Sequence, residues 1–203
     1  DVLRFLGIYV GDGSVAANGS RVTIGGVSKP RKIEAYSKVA EPLGFKCCVG
    51  SDGRHTWYMD NQELNKWLTE NIGTECKNKR LPDLVWGLSA SSLSHLWGGL
   101  MESDGYKPEG KRSSCYVTVS ERLADDVQIV GMRLGYGAAV KRNKPGSLGF
   151  LDVFKVNIKD GGIATLRANN VTTVEDYDGI VWCVTVPNGL IVSRRNGKVS
   201  VSG

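Results

Sequence analysis

The stretch "FLGIYVGDG" (residues 5–13) has the composition of a short apolar helix that ends on an acid, and two glycines lie inside it. A glycine in a helix interior costs about 1 kcal/mol relative to alanine. Gly7 and Gly11 are four residues apart, so they lie on one helical face, where small residues let a second backbone come close. The pattern therefore predicts a helix that packs tightly against a partner and places Asp12 at its end.

A second stretch, "WGGLMESDG" (residues 97–105), repeats this pattern. Aligned, the two stretches match Gly7 with Gly99, Gly11 with Ser103, and Asp12 with Asp104. Two such helices can pack with their small faces together, which would bring both aspartates side by side. A single Asp-Gly could be an ordinary helix stop, but two matched copies favour a pair of helices that carries a pair of acids.

Both stretches resemble the LAGLIDADG signature of homing endonucleases, and its eighth letter, the metal-binding acid, falls on Asp12 and Asp104. The resemblance implies an α+β fold with pseudo-two-fold symmetry, in which one chain carries two αββαββα halves, about 1–90 and 91–160. It also implies a monomeric pseudo-dimer that binds double-stranded DNA, holds Mg²⁺ or another divalent metal on both acids, and cuts both strands.

Other segments fit that order of elements. Apolar residues at helical spacing predict helices at 31–44, 61–73 and 121–135. Alternating patterns predict strands at 20–27 and 114–120, two strands within 45–60, and a hairpin formed by 138–144 and 150–159. The same order of elements thus occurs twice.

Alternation also divides each predicted strand into an apolar face and a polar face. Arg, Lys, Thr and Asn side chains suit a DNA major groove, where they can contact base edges. A solvated sheet face is the alternative interpretation. The predicted DNA-binding residues are Arg21, Thr23, Arg54, Thr56, Lys141, Lys155, Asn157 and Lys159.

Members of the family add basic residues that order water around the metals, and the resemblance nominates Lys155 and Lys79 for this catalytic role. For each, a surface or phosphate-contacting lysine is the competing interpretation. Glu102 precedes the second Asp-Gly but Val10 occupies the matching place in the first copy, so we expect an exposed helix residue there and not a third metal ligand.

Composition sets wide limits. The 203 residues carry a net charge of +5, which permits a nucleic-acid partner without requiring one. Five cysteines without metal-ligand spacing argue against a zinc site and favour a reducing compartment. No apolar run is long enough to span a membrane. We therefore expect a cytoplasmic protein, and the family resemblance implies a phage, bacterial or archaeal host.

The chain changes character after residue 160. Residues 161–203 resemble the β-rich C-terminal (Hint-type) segment of an intein, with Cys183 and Gly203 as splicing-related positions and Asn196-Gly197 as a strong hairpin signal. The chain stops at Gly203 without a terminal Asn and opens directly on the nuclease helix, so we expect splicing to require an N-terminal intein fragment. A small β appendage that packs on the nuclease is the alternative.

The sequence thus predicts an intein-encoded homing endonuclease. Two other functions stay open: a splicing-partner fragment whose nuclease has decayed, and a non-cleaving nucleic-acid-binding protein of the maturase kind.

Overall fold

The computed structural model describes residues 1–144, 151–161, 176, 178–180 and 184–202. The first half contains, in order, α1 (Val2–Asp12), β1 (Gly13–Val15), β2 (Arg21–Val27), α2 (Pro30–Ala40), β3 (Lys46–Val49), β4 (His55–Asp60) and α3 (Gln62–Asn71). The second contains α4 (Ala90–Ser103), β5 (Gly105–Tyr106), β6 (Ser113–Thr118), α5 (Glu121–Arg133), β7 (Gly137–Asn143) and β8 (Val153–Lys159). A final hairpin consists of β9 (Ile191–Arg195) and β10 (Lys198–Ser202).

Two four-stranded antiparallel sheets carry the same strand order. The first runs β1-β2-β4-β3 and the second β5-β6-β8-β7, so each strand of one sheet has a counterpart at the same place in the other. The expected combination of helices with antiparallel sheets is confirmed. The third helix expected in the second half, about 91–160, does not occur in the described residues of that range, 91–144 and 151–160.

Side-chain caps set the start of two helices, and a proline sets the end of a third. The Asn61 side chain accepts a hydrogen bond from the Leu64 amide at the start of α3, and Ser120 does the same for Leu123 at the start of α5. The helix predicted at 31–44 ends as an α-helix at Ala40 and continues as a 3-10 turn, because Pro42 lacks the amide that an α-helical hydrogen bond needs.

Each sheet buries one face against helices and leaves the other open. In β2 the alternation buries Val22 and Ile24, and in β8 it buries Phe154, Val156 and Ile158. Their neighbours Arg21, Asn157 and Lys159 are exposed, as the sequence predicts. The sheets thus present two polar faces on a shared apolar core.

The C-terminal hairpin packs on the second sheet. Its turn has Asn196 and Gly197 at φ of 51° and 70°, as the Asn-Gly signal predicts. The Gly197 carbonyl accepts hydrogen bonds from the Val140 amide (2.9 Å) and from Gln128 Nε2 (2.8 Å). An ion pair between Arg194 and Asp125 adds a second contact with α5. The described part of the tail is thus attached to β7 and α5.

Within the described ranges, none of the helices has the length and apolar character that crossing a bilayer requires.

Candidate active site at the ends of two packed helices

Helices α1 and α4 pack backbone to backbone through small residues. A Cβ added at Gly7 would lie 2.6 Å from the Leu100 amide nitrogen, and one added at Gly99 would lie 2.9 Å from the Ile8 amide nitrogen. At Gly11 it would meet the Ser103 Cβ at 2.5 Å. All three distances are shorter than real carbon contacts, so no side chain fits at Gly7, Gly11 or Gly99, and Ser103, the fourth residue predicted at the helix interface, is buried against Gly11.

This contact brings the two acids to one end of the helix pair. Asp12 is the last residue of α1, and Asp104 follows the last residue of α4. The Gly11 backbone lies against Asp104, since a Cβ there would be 3.0 Å from Asp104 Oδ2. Burial, followed by repulsion from Asp12, raises the pKa of Asp104 to about 6. Helix C-termini carry partial negative charge, so both carboxylates occupy positions that need nearby cations.

Lys79 supplies one of those cations. Its side chain is buried, and Nζ donates to the carbonyl oxygens of Gly13 (2.7 Å) and Tyr9 (3.3 Å) at the end of α1. Desolvation lowers its pKa, while the charges of Asp104 and Asp12 oppose that shift. The alternative of a surface lysine is therefore wrong, because this ammonium lies in the interior beside both acids.

Lys32 and Tyr36 supply the other partners, and both reach the site from α2. Lys32 Nζ donates to Asp12 Oδ2 (3.0 Å) and to the Ser103 carbonyl (2.6 Å), and the Tyr36 hydroxyl donates to Asp12. Burial and the hydrogen bond to Asp12 raise the pKa of Tyr36 far above its usual value. Sequence reasoning missed both as site residues, although a lysine four residues before a tyrosine on the inner face of a helix is an available signal.

The donor set fits a hard divalent cation. Two carboxylates and helix-end carbonyl oxygens are the ligands that Mg²⁺ takes, and Mg²⁺ completes its shell with water and substrate phosphates. No cluster of three or more His, Cys, Asp or Glu side chains occurs in the described ranges, so a closed site of that kind is absent from them. The pair fits a metal whose coordination is completed by water and a substrate phosphate.

Lys155, the other predicted catalytic lysine, lies on the open face of the second sheet. Its partners across the strands are Val117 and Lys141. Val117 and Val153 line the same pocket as Asp104, so Lys155 is near this pocket. Its charge is nevertheless not among those that shift the pKa of Asp104, which come from Asp12, Lys32 and Lys79.

The predicted DNA-binding residues fall on both sheets. On the first, Arg21 pairs with Asp60 (2.6 Å) and stacks over Tyr58, and Thr23 bonds Ser14. The other residues predicted on this side are Thr56, half-buried in β4, and Arg54, exposed in the turn before that strand. On the second sheet the residues are Lys141, Lys155, Asn157 and Lys159.

Glu102 pairs with a residue of the opposite helix. It forms a two-pronged ion pair with Arg4 of α1, in which Arg4 Nε donates to Oε2 at 2.9 Å. The expectation of an exposed residue is therefore corrected, because Arg4 from the opposite helix holds this carboxylate half-buried. Cys183 and Gly203, the splicing-related positions, lie outside the described residues.

Comparison with known proteins agrees with this arrangement. Residues 92–158 match the family described as LAGLIDADG-like domain. The fold is the LAGLIDADG fold. The homing endonuclease I-DmoI in complex with DNA and Mn is similar over 77% of this chain and 88% of its own, with a TM-score of 0.52 and 15% identity. Full-length DUF199/WhiA from Thermotoga maritima is similar over 78% of this chain and 50% of its own (TM-score 0.51, 11% identity).

Curated relatives are much longer proteins. The ATP-dependent DNA helicase Hel308 of Thermococcus kodakarensis is 28% identical over 152 residues, which are 70% of this chain and 14% of the helicase. An iron-sulfur cluster assembly SufBD family protein of Mycobacterium leprae is 27% identical over 152 residues, 71% of this chain and 17% of that protein. The chain thus spans about one seventh of the length of the curated relatives it matches.

Proposed function

We propose that this chain is a divalent-metal-dependent endonuclease that cuts both strands of a specific double-stranded DNA site, with Asp12 and Asp104 as metal ligands. The observation that carries the proposal is the meeting of these two carboxylates at the ends of two helices packed backbone to backbone. The similarity of the fold to I-DmoI, whose structure was determined with DNA and Mn, supports it.

Asp12 and Asp104 would hold the metal, which would supply an activated water and neutralise charge at the leaving oxygen. The protein's own groups hold the site. In the metal-free chain Asp12 is held by Tyr36 and Lys32, while Lys79 is fixed by two carbonyl groups and faces both acids. Lys79 therefore acts as an immobile positive charge beside the phosphate that is cut. Lys155, near the same pocket, acts on a phosphate or on the water that attacks it.

The two open sheet faces bind the DNA on either side of the acids. Exposed Lys159 and Asn157 on β8, with Lys141 on β7, contact phosphates and base edges. On the first sheet, Arg21 has to exchange Asp60 for a DNA group.

We further propose that the chain is encoded within an intein. The curated relatives support this, because similar segments make up only 12% to 17% of proteins whose names share no activity, a helicase and an iron-sulfur cluster assembly protein. Such a distribution is typical of an inserted element. Cys183 and Gly203 then belong to the splicing segment, and an N-terminal intein fragment is the partner. Association with a synthetic N-terminal intein peptide tests this, and absence of binding at micromolar concentration contradicts it.

A DNA-binding protein that does not cleave is the second candidate. The observation that favours it is that Asp12 Oδ2 already accepts hydrogen bonds from Lys32 and Tyr36 without a metal.

Cleavage of a plasmid library with randomised sites distinguishes the candidates. We expect linear product in Mg²⁺, none in EDTA, and a loss of about 10²-fold or more in Asp12→Asn, Asp104→Asn and Lys79→Met. The matched control is Lys77→Met, since Lys77 is exposed and pairs with Glu75 (3.3 Å) away from both acids. Site-specific binding without cleavage in the wild-type protein would support the second candidate and refute the first.

A further inference from the structure

The Lys32 side chain bridges the two halves of the chain beside the paired acids. It belongs to the first half, but its Nζ contacts oxygen atoms of both halves: Asp12 Oδ2 at 3.0 Å and the Ser103 carbonyl oxygen at 2.6 Å. The Ser103 carbonyl is one of the last carbonyls of α4, which have no partner within the helix and carry partial negative charge. The ammonium is therefore held between a carboxylate and a carbonyl, which are the oxygen ligands that a hard cation takes.

The charges around the acids are already balanced by the chain itself. Two carboxylates, Asp12 and Asp104, face two ammonium groups: Lys32 contacts Asp12, the charges of Lys32 and Lys79 both act on Asp104, and both carboxylates act on Lys79. Lys79 is anchored in the interior by the carbonyls of Tyr9 and Gly13 and cannot leave without unpairing them. Lys32 is attached by a side chain that is 30% exposed, so it has a route to solvent.

The second half offers no equivalent cation from the corresponding helix. Counting from the residue before each helix, Lys29 for α2 and Ser120 for α5, Lys32 corresponds to Leu123 and Tyr36 to Val127. Leu123 and Val127 are buried, and Leu123 lines the pocket at Asp104. The two acids thus have the same place in the repeat but unlike surroundings.

We propose that Lys32 is a tethered cation that occupies the oxygen pocket between Asp12 and the Ser103 carbonyl, and that a divalent metal binds at Asp12 only by displacing it. The inference rests on the proposed metal-dependent function and adds an asymmetry to it: the position beside Asp104 takes a metal directly, whereas the position beside Asp12 has to exchange one cation for another. Lys32 is a positioning residue in this scheme, because it acts through Asp12.

Binding of Mn²⁺ to the full chain without DNA tests the proposal, with free Mn²⁺ measured by electron paramagnetic resonance. Lys32→Met removes the ammonium, and Lys32→Gln removes the charge but keeps a hydrogen-bond donor for the Ser103 carbonyl. We expect both variants to bind Mn²⁺ about tenfold more tightly than the wild-type chain, the equivalent of roughly 1.4 kcal/mol. Thermal unfolding of each variant verifies that it is folded. If Lys32→Met does not fold, the comparison is made with Lys32→Gln.

Two controls locate the effect. Lys38→Met removes an ammonium from the same helix, where it pairs with the exposed Glu34 at 2.6 Å, so it controls for the change of net charge and should leave Mn²⁺ affinity unchanged. Asp12→Asn added to either Lys32 variant should remove the gain.

Equal or weaker Mn²⁺ binding in the Lys32 variants, or a gain that persists without Asp12, overturns the inference. The result is separate from that of the cleavage assay. A chain that cuts no DNA but gains Mn²⁺ when Lys32 is replaced supports the inference and counts against the nuclease. A chain that cuts DNA but shows no such gain does the opposite.

Discussion

Asp12 and Asp104 occupy matching positions in two copies of one motif, yet they differ as chemical groups. Asp12 accepts hydrogen bonds from Lys32 and Tyr36, while burial raises the pKa of Asp104 to about 6. The sequence predicts the pairing of the acids from the repeated small residues and Asp-Gly ends. The difference could not be predicted, because its cause lies in a distant helix, where Lys32 corresponds to Leu123.

Asp104→Asn should stabilise the metal-free protein near neutral pH. The folded-state pKa of about 6 lies above the ordinary value of 3.8, so the carboxyl favours the fold while protonated and loses this contribution as pH rises from about 4 through 6. An amide stays neutral at all these pH values. We expect the variant to gain about 2 kcal/mol in the free energy of unfolding at pH 7.5, measured with urea in EDTA, and nothing at pH 4.

Asp12→Asn is the matched comparison and should behave in the opposite way. It weakens the hydrogen bonds from Lys32 and Tyr36, so it should lower the free energy of unfolding at pH 7.5 by about 1 kcal/mol. Equal effects of the two variants, or a gain in the free energy of unfolding of Asp104→Asn that does not depend on pH, would contradict the conclusion that Asp12 and Asp104 have unlike surroundings.

At the scale of elements, the helix pair is the part that sequence predicts best. Small residues four apart, repeated in two segments, leave few arrangements other than close packing. The strands are predicted less completely. The sequence does not reveal β1 and β5, because elements of three and two residues are too short for an alternating pattern to show. The sequence also does not reveal the contact of Lys79 with the end of α1, since Lys79 is 66 positions from Gly13 and 70 from Tyr9.

Two neighbouring glycines of α4 give a direct test of the packing. Gly99→Ala places a Cβ 2.9 Å from the Ile8 amide nitrogen and closer still to the Arg4 carbonyl oxygen, so the helices have to separate. We expect a loss of about 3 kcal/mol or more in the free energy of unfolding by urea. Gly98→Ala meets nothing within 4 Å and should stabilise α4 by about 0.5–1 kcal/mol. Similar losses in the free energy of unfolding for both variants would show that Gly99 is not required for the packing of α1 against α4.

At the scale of the whole molecule, the hairpin tail and the second sheet form one packed unit in the described residues. The link depends on Gly197, whose φ is 70° and whose Cβ position is 3.1 Å from the Val140 carbonyl carbon. The Asn-Gly signal predicted the hairpin, but sequence pattern has no means to show which surface a turn contacts.

Gly197→Ala should release the tail while leaving the LAGLIDADG fold intact. The added methyl group collides with the Val140 backbone, and the left-handed conformation costs about 1 kcal/mol more. Since the Val140 amide donates to the Gly197 carbonyl, we expect its hydrogen exchange, followed by NMR, to become at least tenfold faster.

Gly189→Ala is the control for this change. Gly189 has φ of 67°, but nothing lies within 4 Å of its Cβ position, so the backbone strain is alike and the collision is absent. Exchange at Val140 should be unchanged. Protection of Val140 that survives in Gly197→Ala would show that the tail is held by other contacts.

Attachment of the tail also makes the two sheets unequal in their tendency to aggregate. Its turn blocks part of β7, the outermost strand of the second sheet, at Val140. In the described ranges the corresponding outermost strand, β3, pairs only with β4, and its Val49 is 57% exposed. Outermost strands with free amides and carbonyls recruit strands of other molecules. We therefore expect aggregates of this protein to grow from β3, and a chain shortened to end before β9 to grow from both sheets.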